Sequence, residues 1–164
     1  MGKYFTTAEM CVSGSHPELV EVPKAGSYIF TNLQNLINKL LDPIREKLGK
    51  PITVSSGYRP PKLNTAVKGA ANSNHLYGNA ADVHTGNNGT DNVQIVKTLL
   101  SLGIDYDECI AECAKFDKQG NLISCDWVHL AYRSGNNRKK LIWTADFKTY
   151  HLLKSDKEIK VMKG

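Results

Sequence analysis

Residues 73–84 read SNHLYGNAADVH. His75 and Asp82 stand seven residues apart, on either side of Gly78, and Ala80 and Ala81 lead into Val83. Two readings fit this stretch. One is a polar loop entering a short buried strand. The other is a pair of metal ligands, since neutral imidazole and carboxylate are both suitable donors. Gly78 lets the backbone fold back between them, and the two alanines let the strand approach a neighbour closely. Small residues here provide the room that converging side chains need.

The flanking sequence supplies the elements around this stretch. TNLQNLINKLLDPIREKLG, 31–49, carries Leu33, Leu36, Ile37, Leu40, Leu41, Ile44 and Leu48 at helical spacing. Thr31 is the expected cap, Gly49 the expected stop, and Pro43 is expected to kink or split the helix. PITVSSGYR, 51–59, predicts a short β-branched strand, and PPKLNTAVKG, 60–69, a brief helix with proline at its start. TDNVQIVKTLLSLG, 90–103, predicts a second amphipathic helix capped by Thr90 or Asp91. DECIAECAKF and LISCDWVHLAYR predict two strands joined by the hairpin signal DKQGN. The segment from Lys140 onward adds an edge strand and a tail. The expected fold class is α+β, with helices packed on one face of a small antiparallel sheet.

The chain has 164 residues, enough for one domain that folds without a disulfide or metal. It holds 21 Lys and Arg against 16 Asp and Glu, a net charge of +5. That balance favours polyanions, either nucleic acid or an anionic wall polymer. No zinc finger, RNP aromatics or phosphate loop accompanies the basic residues, so no specific nucleic-acid partner is expected. RSGNNRKK, 133–140, and the basic end of the chain read as solvated faces. There is no apolar run long enough for a transmembrane helix, and the start lacks the apolar core of a signal peptide.

Cys109, Cys113, Cys125 and His129 have a spacing superficially like a structural zinc site. The first two fall in a strand rather than a tight knuckle, so all three cysteines are expected as free core thiols. The polar set that the predicted topology gathers is different: Arg59, His75, Asp82 and His129. Two histidines and one aspartate make a three-donor set of the kind catalytic zinc sites use. Singly, each has a plain structural alternative: a hydrogen-bonded histidine, a turn-capping aspartate, a surface arginine.

SNHLYGNAAD resembles the Ser-x-His-x-x-Gly-x-Ala-x-Asp motif of the zinc D-Ala-D-Ala carboxypeptidase and L-Ala-D-Glu endopeptidase family, matching at Ser73, His75, Gly78, Ala80 and Asp82. SSGYRPPKLN is similar to that family's Ser-Gly-Tyr-Arg segment, and DWVHLAYR to its second histidine strand. The resemblance covers about residues 3 to 143 and is closest to short phage and prophage forms. It implies a hedgehog/DD-peptidase-like fold, zinc held by His75, Asp82 and His129, and hydrolysis of peptide bonds in peptidoglycan stems. It points to Arg59 as a clamp on substrate, with Ser73 as a further contact. It places the general base three residues before the second histidine, at Asp126. Side-chain alternation troubles that assignment, because Asp126 and His129 face opposite sides of a regular strand. Glu112 on the partner strand is the rival: a two-residue turn at Gly120 and Asn121 sets it directly across from His129, one at Gln119 and Gly120 sets it across from Trp127, still on the His129 face, and only an odd-length turn directs it away.

The expected organisation is a peptidase domain over residues 1–145, with residues 146–164 as a basic tail or edge extension. The expected partner is the peptide stem of peptidoglycan, and the chain is expected as a monomer. Synthesis in the cytoplasm and action on the wall would follow phage-pore release or carriage in a virion or prophage particle. The alternative from another class is a zinc-containing wall-binding module without turnover.

Overall fold

The computed structural model describes residues 2–86 and 88–152. Residues 153–164, most of the expected tail, lie outside the described residues. Ser27 accepts the N–H of Phe30 and opens helix α1, Tyr28–Leu36. The helix therefore starts one turn before the Thr31 cap expected from sequence. It passes into a π turn, Ile37–Leu41, and then α2, Asp42–Leu48, which ends at left-handed Gly49. Pro43 does not split it. In the wider turn the Asp42 N–H reaches the Ile37 carbonyl, and this extra residue per turn accommodates a proline that would clash with a regular preceding turn. Leu33, Leu36, Ile37, Leu40, Leu41 and Ile44 are fully buried, each contributing about 1.5–3 kcal/mol of apolar burial.

After β1, Thr53–Ser56, comes the short helix α3, Pro61–Ala66, and then β2, Ala80–His84. Helix α4, Gly89–Leu102, is capped by Asn88, whose side chain accepts from the Thr90 N–H; Thr90 and Asp91 lie inside its first turn. The remaining strands are β3 Glu108–Glu112, β4 Lys115–Phe116, β5 Leu122–Ser124, β6 Trp127–Ala131, β7 Lys140–Thr144 and β8 His151–Leu152.

Six strands form one sheet in the order β1-β2-β6-β3-β7-β8. All pairs are antiparallel except β3 with β7, so the sheet is mixed. The cause is the connection 132–139, which steps past the end of β3. Lys139 and Lys140 donate their N–H groups to Tyr106 and Asp107 carbonyls there, and β7 then runs beside β3 on its far side. The expected hairpin is also subdivided. The chain turns at Cys113, with φ of 54°, and β4 and β5 pair as a separate small sheet.

Alternation sorts the side chains between the faces. Ala81, Val83, Cys109, Ala111, Val128, Leu130 and Leu141 join the core beneath the helices. Asp82, Glu108, Ile110, Glu112, Trp127, His129 and Ile142 point the other way and line an open cleft.

The N-terminal segment seals the β1 edge. Ser13 bridges to Ser56, and the buried Met10 accepts the Tyr58 N–H at 2.7 Å. Gly57 lies against this contact: a Cβ there would sit 2.0 Å from the Met10 carbonyl oxygen. Gly57→Ala is expected to lower stability by about 1–3 kcal/mol, read as a shift of the denaturant midpoint. An unchanged midpoint would mean that the N-terminal segment does not hold this turn.

Candidate metal centre

Three donors converge on the floor of a cleft of about 1090 Å³. Ligand atoms of His75, Asp82 and His129 all lie within 4.8 Å of one another. Each comes from a different local device. His75 sits in the 3-10 turn Asn74–Tyr77, capped by Ser73, whose hydroxyl accepts the His75 N–H at 3.2 Å. Gly78 ends the turn in the left-handed region, with φ of 72°. A Cβ there would also crowd the Ile29 carbonyl at 2.9 Å, so glycine serves both conformation and packing. Asp82 and His129 are direct cross-strand partners on β2 and β6.

The histidine rings are oriented from behind. His75 Nδ1 lies 2.7 Å from the Gly57 carbonyl. A carbonyl only accepts, so Nδ1 carries the proton and the Nε2 lone pair is left free to bind a cation, 3.4 Å from Asp82 Oδ1. His129 is held the opposite way round. Its Nδ1 faces Asp82 Oδ1 at 3.0 Å, and its Nε2 faces Glu108 Oε1 at 3.6 Å. Burial lowers the His75 pKa, keeping the ring neutral as a ligand must be. Burial also opposes charge on His129, but Asp82 and Glu108 outweigh it and raise its pKa to about 10. A cation binding at Asp82 would replace the Nδ1 proton. Burial likewise opposes charge on Asp82, yet His75 and His129 hold its carboxyl well below the usual range. The set therefore offers two imidazole nitrogens and one ionised carboxylate, which fits a dication.

Arg59 enters from the wall. Its Nε donates to Ser56 at 3.1 Å, and its terminal nitrogens lie 3.4 Å from Asn64 Oδ1 and 3.5 Å from Asp82 Oδ2. A register shift in β1 between Val54 and Ser56 brings Ser56 opposite Asp82 and makes this contact.

Two acids on β3 flank His129 and differ in their partners. Glu108 takes Asn74 Nδ2 at 2.7 Å besides His129. The His129 contact, more than any other, lowers its pKa. Asp107 is fully buried; it accepts Arg138 Nε and Nη2, both at 2.8 Å, and Asn74 Nδ2 at 3.1 Å. Glu112 lies across from Trp127 on the His129 face and lines the cleft. Among the described residues no side chain hydrogen-bonds to its carboxylate. Burial raises its pKa to about 7, against the pull of His129 and with a push from Asp82.

Asp126 is placed elsewhere. It precedes β6, is exposed and does not line the cleft. Its N–H donates to the Glu112 carbonyl, and its carboxylate lies by the Cys113 thiol. The cysteines do not gather around a metal position. Cys109 and Cys125 are buried core thiols raised in pKa by burial, whereas Cys113 is partly exposed rather than in the core. His84 turns to the Gly86 N–H, outside the cleft. Glu108, Asn74, Asp107 and Arg138 were missed from sequence. Glu108 carried a usable signal, four residues before Glu112 on the same strand face. Arg138 was hidden in RSGNNRKK, which reads as a solvated basic stretch but inserts this one side chain over a buried acid.

The family model described as Peptidase M15 matches residues 3–131. The zinc D-Ala-D-Ala carboxypeptidase of Streptomyces albus G is 48% identical over 50 residues, a stretch making up 30% of this chain and 20% of that protein. The match thus spans about a fifth of the length of that curated relative. The chain belongs to the Peptidase M15 family.

Carboxylates behind a metal-ligating histidine typically govern affinity 10–100-fold. Glu108→Ala is expected to weaken zinc binding by roughly that factor in a chelator competition, with Glu108→Gln losing less because it still accepts from Nε2. Wild-type affinity in the alanine variant would show that Glu108 does not orient His129.

Proposed function

We propose that this chain is a zinc peptidase that hydrolyses peptide bonds in the stems of bacterial peptidoglycan. The observation that carries the reading is the convergence of His75, Asp82 and His129 beside Glu112, a cleft carboxylate to which no side chain among the described residues hydrogen-bonds. The name of the Streptomyces relative supports both the metal and the substrate class. When bound, zinc supplies Lewis acidity: it polarises the scissile carbonyl and makes a water molecule acidic near neutral pH.

The chain's own residues do the rest. Glu112 accepts the proton of the attacking water and returns it to the departing amine nitrogen. It suits this task because burial keeps its affinity for a proton near that of neutral solution. Glu108 does not, because His129 and Asn74 occupy it. Glu112 therefore takes the role in preference to Asp126, which faces away. Arg59, fixed by Ser56, Asn64 and Asp82, presents a planar fork to a substrate carbonyl or carboxylate. Ser73, already capping the His75 turn, lies beside it on the cleft wall. The net charge of +5 favours residence on an anionic wall. No helix of the described residues is long and apolar enough to cross a membrane. Delivery by a phage or prophage belongs to the same proposal, as does cleavage of either a terminal or an internal bond.

The test is mass spectrometry of defined muropeptides after digestion, alongside elemental analysis of the purified chain. One zinc per chain is expected, lost in His75→Ala and kept in Cys109→Ala. Glu112→Gln should lower turnover by about 10²–10⁴-fold with zinc retained, while Asp126→Asn stays close to wild type. The opposite ranking would return the proton transfer to Asp126. Wild-type activity should fall on the acid side as the Glu112 carboxyl, raised to about 7 by burial in the metal-free site, takes up its proton; a bound dication places that limb below about 7. The limb should vanish in Glu112→Gln. Wall binding without any cleavage would instead make the chain a non-catalytic module.

A further inference from the structure

The cleft has two unlike ends. Glu108 stands at the start of β3, beside Ala131 at the end of β6, and Arg133 follows at that end. Glu112 ends β3 beside Trp127 and Thr144, and the chain beyond β7 returns there as Phe147 and Tyr150. The metal donors lie between. The first end is polar, with Arg133 near Glu108 and the Arg138–Asp107 ion pair. The second is walled by Trp127, Phe147 and Tyr150.

Phe147 is the unusual member. Its φ is 60°, a conformation that is a genuine outlier for a bulky residue and costs of order 1–3 kcal/mol. A small turn enforces it: the Phe147 N–H donates to Thr144 Oγ1, and Asp146 accepts the N–H groups of Lys148 and Thr149. Yet the ring is not placed in the core. It stacks on Trp127, centroids 5.2 Å apart and planes 9° from parallel, and is 47% exposed. Tyr150 is 52% exposed at the same end. A fold that strains its backbone to leave an aromatic face open at a cleft mouth is maintaining a binding surface.

We infer that Phe147 and Tyr150, backed by Trp127, form a saccharide platform at the Glu112 end of the cleft. The inference rests on the peptidoglycan reading above. A stem peptide carries carboxylates along its length and is joined to a sugar at its amino end. The polar end, with the Arg133 guanidinium, suits a peptide carboxylate. The aromatic end suits a pyranose, which presents a flat C–H face to the rings and hydroxyls to the Tyr150 phenol and the solvent. The platform makes the attached sugar part of the recognised substrate.

Two measurements on the full chain test this. In the first, the free N-acetylglucosamine–N-acetylmuramic acid disaccharide is titrated into isotopically labelled, metal-free protein. Selective perturbation of the Trp127, Phe147 and Tyr150 signals is expected, and needs no peptidase activity; absence of perturbation overturns the platform. In the second, kcat/KM is compared for a stem peptide with and without its disaccharide. The glycosylated substrate should be favoured by roughly tenfold, the scale of one aromatic stacking contact. Phe147→Ala with Tyr150→Ala should erase that preference, kcat/KM for the glycosylated substrate falling roughly tenfold further than that for the bare peptide. Equal losses on both substrates would assign the platform to the peptide and overturn the inference. Disaccharide perturbation without cleavage of either substrate would uphold the platform while removing the peptidase reading.

Discussion

The carboxylate of Asp82 is the constraint around which the cleft is built. It sits between two imidazoles and a guanidinium, with His129 at 3.0 Å, His75 at 3.4 Å and Arg59 at 3.5 Å. A charge this enclosed persists only with such company. Each companion needs its own support: Gly57 for the His75 ring, Glu108 for His129, Ser56 and Asn64 for Arg59. The Gly57 carbonyl is set by a turn that packs against Met10, and so the N-terminal segment indirectly aligns the His75 ring. A polar network of this kind is well determined when all members are satisfied, and among the described residues no buried side-chain polar atom is left without a partner.

Beside that network, two glutamates four residues apart on one strand have different chemistry because their neighbours differ. Glu108 faces the imidazole edge, Asn74 and the Arg138 guanidinium, and it stays ionised. Glu112 stands next to an indole, where burial is not offset by a hydrogen bond, and it holds its proton to about pH 7. Such a divergence between paired acids is a common way of separating an orienting role from a proton-transfer role. Arg138 completes the division. Its pairing with Asp107 fastens the 132–139 connection, and that connection is also why β7 enters parallel to β3.

A backbone irregularity sets Asp126 and Glu112 in different places. Chain turning at Cys113 ends the regular pairing at Glu112 and Trp127, so Asp126 sits before the strand and points away from the cleft. The alternation argument had already set Asp126 on the wrong face for a regular strand. From Trp127 to Ala131 β6 pairs with β3 in unbroken register.

Local periodicity and residue chemistry were enough to read the helices, the strand carrying Asp82, the strand carrying His129 and the convergence of His75, Asp82 and His129. These depend on side-chain spacing and on donor type, which are properties of short segments. The π turn ahead of Pro43, the Ser27 and Asn88 caps and the parallel entry of β7 depend on how segments meet, and spacing does not encode that. Glu108, Asn74 and Arg138 were invisible for the same reason: each is an ordinary polar residue until a strand register and a loop crossing bring it behind His129. Phe147 is the clearest case. In sequence it is one aromatic among polar residues, and only the turn built on Thr144 and Asp146 commits it to a strained conformation with its ring open to the cleft. Residue identity determined which chemistry was available; tertiary contacts decided which groups were buried, paired or left free to use it.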